Sequence, residues 1–201
     1  QSVTFLFACL CLLGCLGSSK VVEEGSDTGL SIGSDSGAPA DTAEPDPVDL
    51  IDGDALPAGT DPCRDPVKGS VSEVIDGDTI KVETGRGVER VRLIGIDTPE
   101  VDHSGPDDEC YGEESKAFLG AMIKNRTVWL TFDSECIDDY GRTLAYVHRG
   151  FEDNEFIQRV LLKGGWASTF AVVPNVSLQE TFATDQAQAQ SEGAGLWGDC
   201  R

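Results

Sequence analysis

From Val71 onward, apolar and polar positions alternate in a way that predicts short strands and amphipathic helices. Val71–Ile75 and Thr79–Thr84 read as strands joined at Asp76-Gly77-Asp78, where the glycine permits a tight turn or bulge. Gly85-Arg86-Gly87 then breaks the chain as a hairpin loop does. In Glu89–Ile96, Val91 and Leu93 alternate with Arg90, Arg92 and Ile94, which is the period of a strand. Thr127–Phe132 and Arg142–His148 predict two more strands. Helical spacing puts Ala117, Phe118, Ala121 and Met122 on one face of Glu113–Ile123. It does the same for Phe156, Ile157, Val160 and Leu161 in Asn154–Lys163, which Gly164-Gly165 ends. Ser177–Glu192 is expected to be a polar helix rich in Ala and Gln. Short strands in hairpins with few helices predict an α+β domain on a small closed barrel. Periodicity leaves open which barrel.

The first part of the chain has no such pattern. Gln1–Leu16 is an uncharged run of Leu, Phe, Ala and Cys, too short for a standard membrane-spanning helix. It fits the core of a secretory signal. With no initiator Met and no basic region before it, the chain is expected to begin inside that signal. Leu12-Leu13-Gly14-Cys15 is similar to a bacterial lipobox, so Cys15 is the expected lipidation site and a plain secretory signal the alternative. From Gly17 to about Thr60 the chain is rich in Gly, Ser, Asp, Pro and Ala, with too little apolar surface to order itself. It reads as a flexible acidic tether. The expected organisation is an address segment at 1–16, a disordered acidic linker at 17–62 and a folded domain at 63–201.

Charge and cysteine content refine this picture. The 201 residues carry a formal net charge of -21, shared by the linker and the folded region. An acidic surface repels polyanions at long range, which by itself argues against a nucleic-acid substrate. Cys9, Cys11 and Cys15 lie in the apolar run. Cys63, Cys110, Cys136 and Cys200 are widely spread with no CxxC pair, and only His103 and His148 could join them. A zinc site is therefore not expected. Four scattered cysteines in an exported chain predict two disulfides, for which three connectivities are open.

The candidate chemistry lies at strand ends. Asp76, Asp78, Asp97 and Glu100 gather near Arg92 and Arg142. Asp76 and Asp78 are two apart and project to one side of an extended segment. Carboxylates without Cys or His partners are hard oxygen ligands that favour Ca²⁺ or Mg²⁺. Their mutual repulsion needs a cation or arginines to offset it. Taken singly, Arg92 is an exposed strand charge and Asp76-Gly77-Asp78 a common turn. The signal is in the set.

The strings VIDGDTIKV (Val74–Val82), VRLIGIDTPE (Val91–Glu100), YGEESKAFL (Tyr111–Leu119), DDYGRTLAYV (Asp138–Val147) and GLW (Gly195–Trp197) closely resemble the staphylococcal nuclease (thermonuclease) family, in order and spacing. The resemblance runs from about Val71 to Trp197. It implies a five-stranded OB-type β-barrel with three helices. It implies Ca²⁺ held by the carboxylates of Asp78 and Asp97 and the backbone carbonyl of Thr98, with Asp76 in the outer shell. Glu100 would be the general base or orient the attacking water. Arg92 and Arg142 would hold the scissile phosphate, and Tyr140 would shape the nucleotide pocket. The implied reaction cuts DNA and RNA to 3′-phosphate ends. The chemistry is coherent: a cation polarises the phosphoryl oxygen, a carboxylate takes the proton of water, and arginine forks match phosphate. Within this frame we expect Cys110–Cys136 and Cys63–Cys200 pairing, a monomer, and membrane contact only through an N-terminal lipid anchor. The expected location is the cell envelope, at the outer membrane or in the periplasm, with secretion as the alternative.

Two stretches depart from the family's pattern. After Glu100 the loop VDHSGPDDEC is acidic where a Lys-rich loop is expected. WASTFAVVPN (Trp166–Asn175) lacks the expected pocket tyrosines, leaving Phe170 as a stacking face. Substrate binding should therefore be weak, metal-dependent and salt-sensitive. A silent nucleic-acid-binding barrel and a calcium-stabilised envelope protein are the alternatives. The first has no need of the carboxylate cluster, and the second has no need of Arg92, Arg142 and Glu100 together.

Overall fold

The computed structural model describes residues 47–101 and 109–200. The address segment at 1–16 with Cys15, the linker up to Asp46 and the acidic loop at 102–108 lie outside the described residues. Five strands close a barrel: β1 (Val67–Asp76), β2 (Thr79–Thr84), β3 (Gly87–Leu93), β5 (Thr127–Thr131) and β6 (Thr143–His148). Around the barrel the order is β1-β2-β3-β6-β5. All pairs are antiparallel except β3 with β6. β1 runs longer than the pattern predicts and changes register against β2 twice, between Val71 and Glu73 and between Val74 and Asp76. Such irregularities bend a strand, and here β1 pairs with both β2 and β5. Alternate residues fill the interior: Val71, Ile80, Val82, Val91, Leu93, Val128, Leu130, Ala145 and Val147 are all fully buried.

Three longer helices cover the barrel. α1 (Gly112–Ile123) buries Leu119 and Ile123, α2 (Ile157–Lys163) buries Ile157, Leu161 and Leu162, and α3 (Gln179–Glu192) buries Phe182 and Ala189. A short α4 (Leu196–Asp199), which the pattern does not predict, closes the chain. α2 starts later than the apolar spacing predicts, because a 3₁₀ turn at Asp153–Glu155 precedes it.

The strand expected at Glu89–Ile96 is in fact two. β3 ends at Leu93, and β4 (Gly95–Asp97) pairs with β7 (Ser168–Phe170) outside the barrel. The break is at Gly95, whose φ is +83°. A Cβ there would stand 2.4 Å from the Phe182 ring, so only glycine allows both the turn and the helix contact. This break aims Asp97, Thr98 and Glu100 away from the barrel wall and back toward the β1–β2 turn.

Two expectations are corrected. The tether does not extend to residue 62: from Pro47 the chain is a strap packed on the barrel. Val48 and Leu56 are buried in it. Trp129 Nε1 donates to Val48 O at 3.2 Å, Thr131 Oγ1 to Pro57 O at 2.6 Å, Gly59 N to Phe132 O at 2.8 Å and Cys63 N to Asp133 O at 2.8 Å. Two isolated apolar residues carry no period, so only the barrel partner reveals this packing. The disulfides are Cys63–Cys136 and Cys110–Cys200, not the pairing expected. The strap runs beside the end of β5 and so delivers Cys63 to the segment that follows it. α4 brings Cys200 to the start of α1, where Tyr111 Oη also donates to Asp199 Oδ2 at 2.8 Å.

Candidate active site

The β1–β2 turn supplies the first carboxylates. Asp76 Oδ1 accepts from Gly77 N at 2.8 Å, tightening the turn. A Cβ on Gly77 would lie 2.6 Å from Thr98 Oγ1, so this glycine lets the hairpin tip rest on the Asp97-Thr98 segment. Asp78 is buried there. Its Oδ1 accepts from Thr79 Oγ1 at 2.9 Å and its Oδ2 from Thr98 N at 3.3 Å. Arg92 Nη1 lies 2.7 Å from Asp78 Oδ2, and Arg92 Nη2 donates to Asp97 Oδ1 at 2.7 Å. Nη1 also donates to the carbonyls of Leu93 and Ile96, at 3.1 and 3.0 Å. Burial raises the pKa of Asp78, and the charge of Arg92 opposes that rise.

Glu100 completes the acidic group. Desolvation, a hydrogen bond with Asp76 and the charges of Asp76, Asp78 and Asp97 raise its pKa to about 7. Arg92 bridges Asp78 and Asp97, and the turn carrying Asp76 rests on the Asp97-Thr98 segment that leads to Glu100, so the four carboxylates share one neighbourhood. Among the described residues no three acidic, His or Cys side chains already converge at metal-cluster spacing. The donor set nevertheless fits a hard divalent cation. It is all oxygen, it carries more negative charge than one arginine offsets, and it holds Glu100 far above its ordinary range.

The second wall comes from the turn before β6. Asp138 Oδ1 accepts from the backbone N–H of Tyr140 at 3.0 Å and of Arg142 at 2.8 Å, and its Oδ2 accepts from Arg142 Nε at 2.6 Å. Gly141, with φ +75°, turns the chain. Although desolvation opposes it, the hydrogen bonds from Arg142 pull Asp138 below the usual carboxylate range. Tyr140 stands 85% exposed, its ring centre 5.4 Å from the Arg142 guanidinium carbon. The Cys63–Cys136 disulfide fastens the root of this turn. On the other side, Arg64 Nη2 donates to Glu89 Oε2 and Thr143 Oγ1 to the same oxygen, both at 2.8 Å.

Between the two walls lies a cavity of about 380 Å³, lined by Arg92 and Arg142, by apolar Leu144, Phe170 and Val172, and by Asn175. Phe170, Val172 and Val173 are half or more exposed along its rim. Asn175 is buried and clamps Glu135, accepting from its N–H at 2.8 Å and donating to its carbonyl at 2.9 Å. Asp133, fully buried, accepts from Tyr146 Oη at 2.8 Å and Ser177 Oγ at 2.8 Å, and so anchors the same segment to the barrel.

The sequence-derived residues thus fall into two groups. Asp76, Asp78, Asp97, Thr98, Glu100 and Arg92 come together, while Arg142 and Tyr140 face Arg92 across the cavity. Sequence reasoning missed the Asp78–Arg92 pair, Asp138 as holder of Arg142, and the Val172–Asn175 wall. Only Asp138 left a signal, an Asp two residues before Tyr140 and three before Gly141, the spacing of a side-chain-capped turn.

A closed five-stranded OB-type barrel, with clustered carboxylates at one strand end and two arginines on one cavity, defines the class. Residues 90–199 match the family described as staphylococcal nuclease homologue, and the chain belongs to that family. It is 37% identical to the thermonuclease of Staphylococcus hyicus over 129 residues, which is 64% of this chain and 75% of that protein. It is 38% identical to the thermonuclease of Staphylococcus intermedius over 127 residues, 63% of this chain and 74% of that one. The SPbeta prophage-derived endonuclease YokF of Bacillus subtilis is 34% identical over 130 residues, 64% of this chain and 43% of the relative.

Proposed function

We propose that the protein is a hydrolytic nuclease acting on phosphodiester bonds of DNA and RNA, dependent on Ca²⁺ and leaving 3′-phosphate products. One observation carries this reading: Arg92 and Arg142 face one cavity while Asp76, Asp78, Asp97 and Glu100 crowd beside Arg92. The cation, held by Asp78, Asp97 and the Thr98 carbonyl with Asp76 behind them, would supply charge stabilisation to a phosphoryl oxygen. Glu100, kept ionised once a cation offsets its neighbours, takes a proton from the attacking water. The water oxygen bonds to phosphorus, the bond to the 5′ oxygen breaks, and that oxygen takes a proton from solvent, leaving a 3′-phosphate and a 5′-hydroxyl. Arg142, held only through Nε, offers its terminal amines to the phosphate as charge grows. Tyr140 and Phe170 offer faces to a nucleotide ring.

The test is cleavage of plasmid and single-stranded substrates by the full chain, with Ca²⁺, with EDTA, and with Glu100→Gln. A fragment beginning at Val71 is unsuitable, because β1 starts at Val67 and Cys63 would be lost. Cleavage that requires Ca²⁺ and falls about a hundredfold or more in Glu100→Gln is expected. Absence of cleavage, with Ca²⁺ still raising the unfolding temperature, would leave the carboxylate cluster as a structural calcium site. That second reading is favoured by one feature, the full engagement of Arg92 with Asp78 and Asp97.

We propose further that the protein is an exported monomer, anchored at the cell envelope through a lipid on Cys15. The two disulfides support an oxidising location. Loss of labelled-lipid incorporation on Cys15→Ser is the expected result, and undiminished incorporation would dismiss the anchor.

A further inference from the structure

Basic side chains around the site are mostly engaged with carboxylates. Arg64 pairs with Glu89, Lys81 with Glu73, Arg92 with Asp78 and Asp97, and Arg142 with Asp138. Arg90 is different. It is exposed on β3, and its side chain makes no hydrogen bond or ion pair with any other described residue. Its cross-strand neighbour, Lys81, is held by Glu73 at 2.6 Å. Arg90 is nonetheless not adrift on the surface. With Tyr140 and Arg142 it lines a shallow cleft of about 180 Å³. Arg142 lines both this cleft and the larger cavity. Tyr140 is the ridge shared by the two.

Three features of the cleft point to the same ligand chemistry. Two guanidinium groups share a small concavity in a protein of net charge -21, and no carboxylate lines that cleft. Like charges so placed favour an anion between them. Guanidinium forks match phosphate geometry. Tyr140, 85% exposed, offers a ring face directly beside them. Arg90 and Arg92 are two apart on one strand, a step of about 7 Å, comparable to the separation of successive phosphates in a nucleic-acid strand.

We propose that the Arg90–Tyr140–Arg142 cleft is a second phosphate subsite, binding the phosphodiester next to the scissile one with the intervening nucleotide laid on Tyr140. The ligand class is a single nucleic-acid strand of at least two phosphates. The proposal rests on the nuclease reading for what happens in the cavity, but the binding it claims needs no catalysis. It gives an acidic protein a local means of holding a polyanion, and it makes Arg90 a length-selecting residue.

The experiment compares the full chain with Arg90→Gln in two ways. With Ca²⁺ present, and with Glu100→Gln in both proteins so that the strand is bound without being cut, fluorescence anisotropy of a labelled single-stranded octanucleotide is followed across a salt series. The dissociation constant should rise roughly fivefold, and the slope of log affinity against log salt should become shallower by about 0.7, the share of one phosphate contact. With Ca²⁺, kcat/KM should fall at least several-fold more on the octanucleotide than on a dinucleoside monophosphate, which has one phosphate only. Equal losses on the two substrates, or an unaltered salt slope, would overturn the subsite. If the unmodified protein cuts neither substrate, the nuclease reading fails by itself, and the anisotropy series still decides the subsite. Arg90 is exposed, and matched unfolding temperatures check that the variant folds.

Discussion

Arg92 on β3 and Arg142 in the turn before β6 face one cavity, yet their surroundings differ. Arg92 is largely buried, and its two terminal amines reach Asp78, Asp97 and two carbonyls. Arg142 is held through Nε by Asp138, and its terminal amines have no partner among the described residues. A buried pair of this kind stabilises little in net terms, but breaking it leaves an uncompensated charge. A half-free arginine adds little to stability, and its donors remain available to an anion. The first end of the site is therefore built for position and the second for contact. The same contrast explains how an acidic chain can address a phosphate. Beyond about 8–10 Å its repulsion is screened in ordinary salt, and within that range the unpaired donors of Arg142 act.

The largest expected effect belongs to Arg92. Arg92→Met should destabilise the fold by about 3–5 kcal/mol, by stranding buried Asp78, as well as abolish turnover. Denaturant titration reads the loss, and Asp78→Asn in the same chain should restore part of it. Full stability in the single variant would erase the distinction between the two arginines. Arg142→Gln should lower kcat by about 10²–10³ while changing stability by about 1 kcal/mol or less. A matching fall in stability would show that Arg142 too is structural. Opening Cys63–Cys136 with paired serines should cost about 2–4 kcal/mol and raise amide exchange across residues 136–142, loosening the contact end first. Uniform exchange over the barrel would contradict that order.

The smallest effect is a pH dependence at the positioning end. Without metal, folded Glu100 binds a proton up to about pH 7, whereas the unfolded chain releases it near 4.5. The folded state thus holds more protons in that window, so this contribution to stability is present at low pH and lost as pH rises through about 7. A cation among the carboxylates removes the shift. Ca²⁺ should therefore raise the unfolding temperature more at pH 8 than at pH 5. An equal rise at both would place the cation elsewhere. His148 has the opposite sign. Burial lowers its pKa to about 3, so its neutral form supports the fold above pH 6.5 and that support fades as pH falls toward 3.

Local chemistry was legible in the sequence wherever it followed a short-range rule. The five barrel strands and three main helices follow from side-chain period, because period 2 and period 3.6 are set by backbone geometry. Asp76, Asp78, Asp97 and Glu100 could be named as one group from strand-end positions and the family's motifs. What failed was long-range. β4 could not be separated from β3, because a glycine in a strand pattern does not announce its φ, and the Phe182 contact that only a glycine permits there comes from distant α3. Val48 and Leu56 looked like linker residues until Trp129 and Thr131 offered partners. The disulfide pairing depended on where the strap and α4 end in space.

The sequence by itself determined the barrel's strands, the donor types and their oxygen chemistry, since these are properties of neighbouring residues. Only the tertiary structure decided that Asp78 pairs with Arg92, that Asp138 leaves Arg142 half free, and that Arg90 shares a cleft with Tyr140. Each joins strands or turns distant in the chain, and closure of β3 onto β6 brings Arg90 and Arg142 together. Pairing of charges is a matter of distance and burial, and neither exists before the barrel closes.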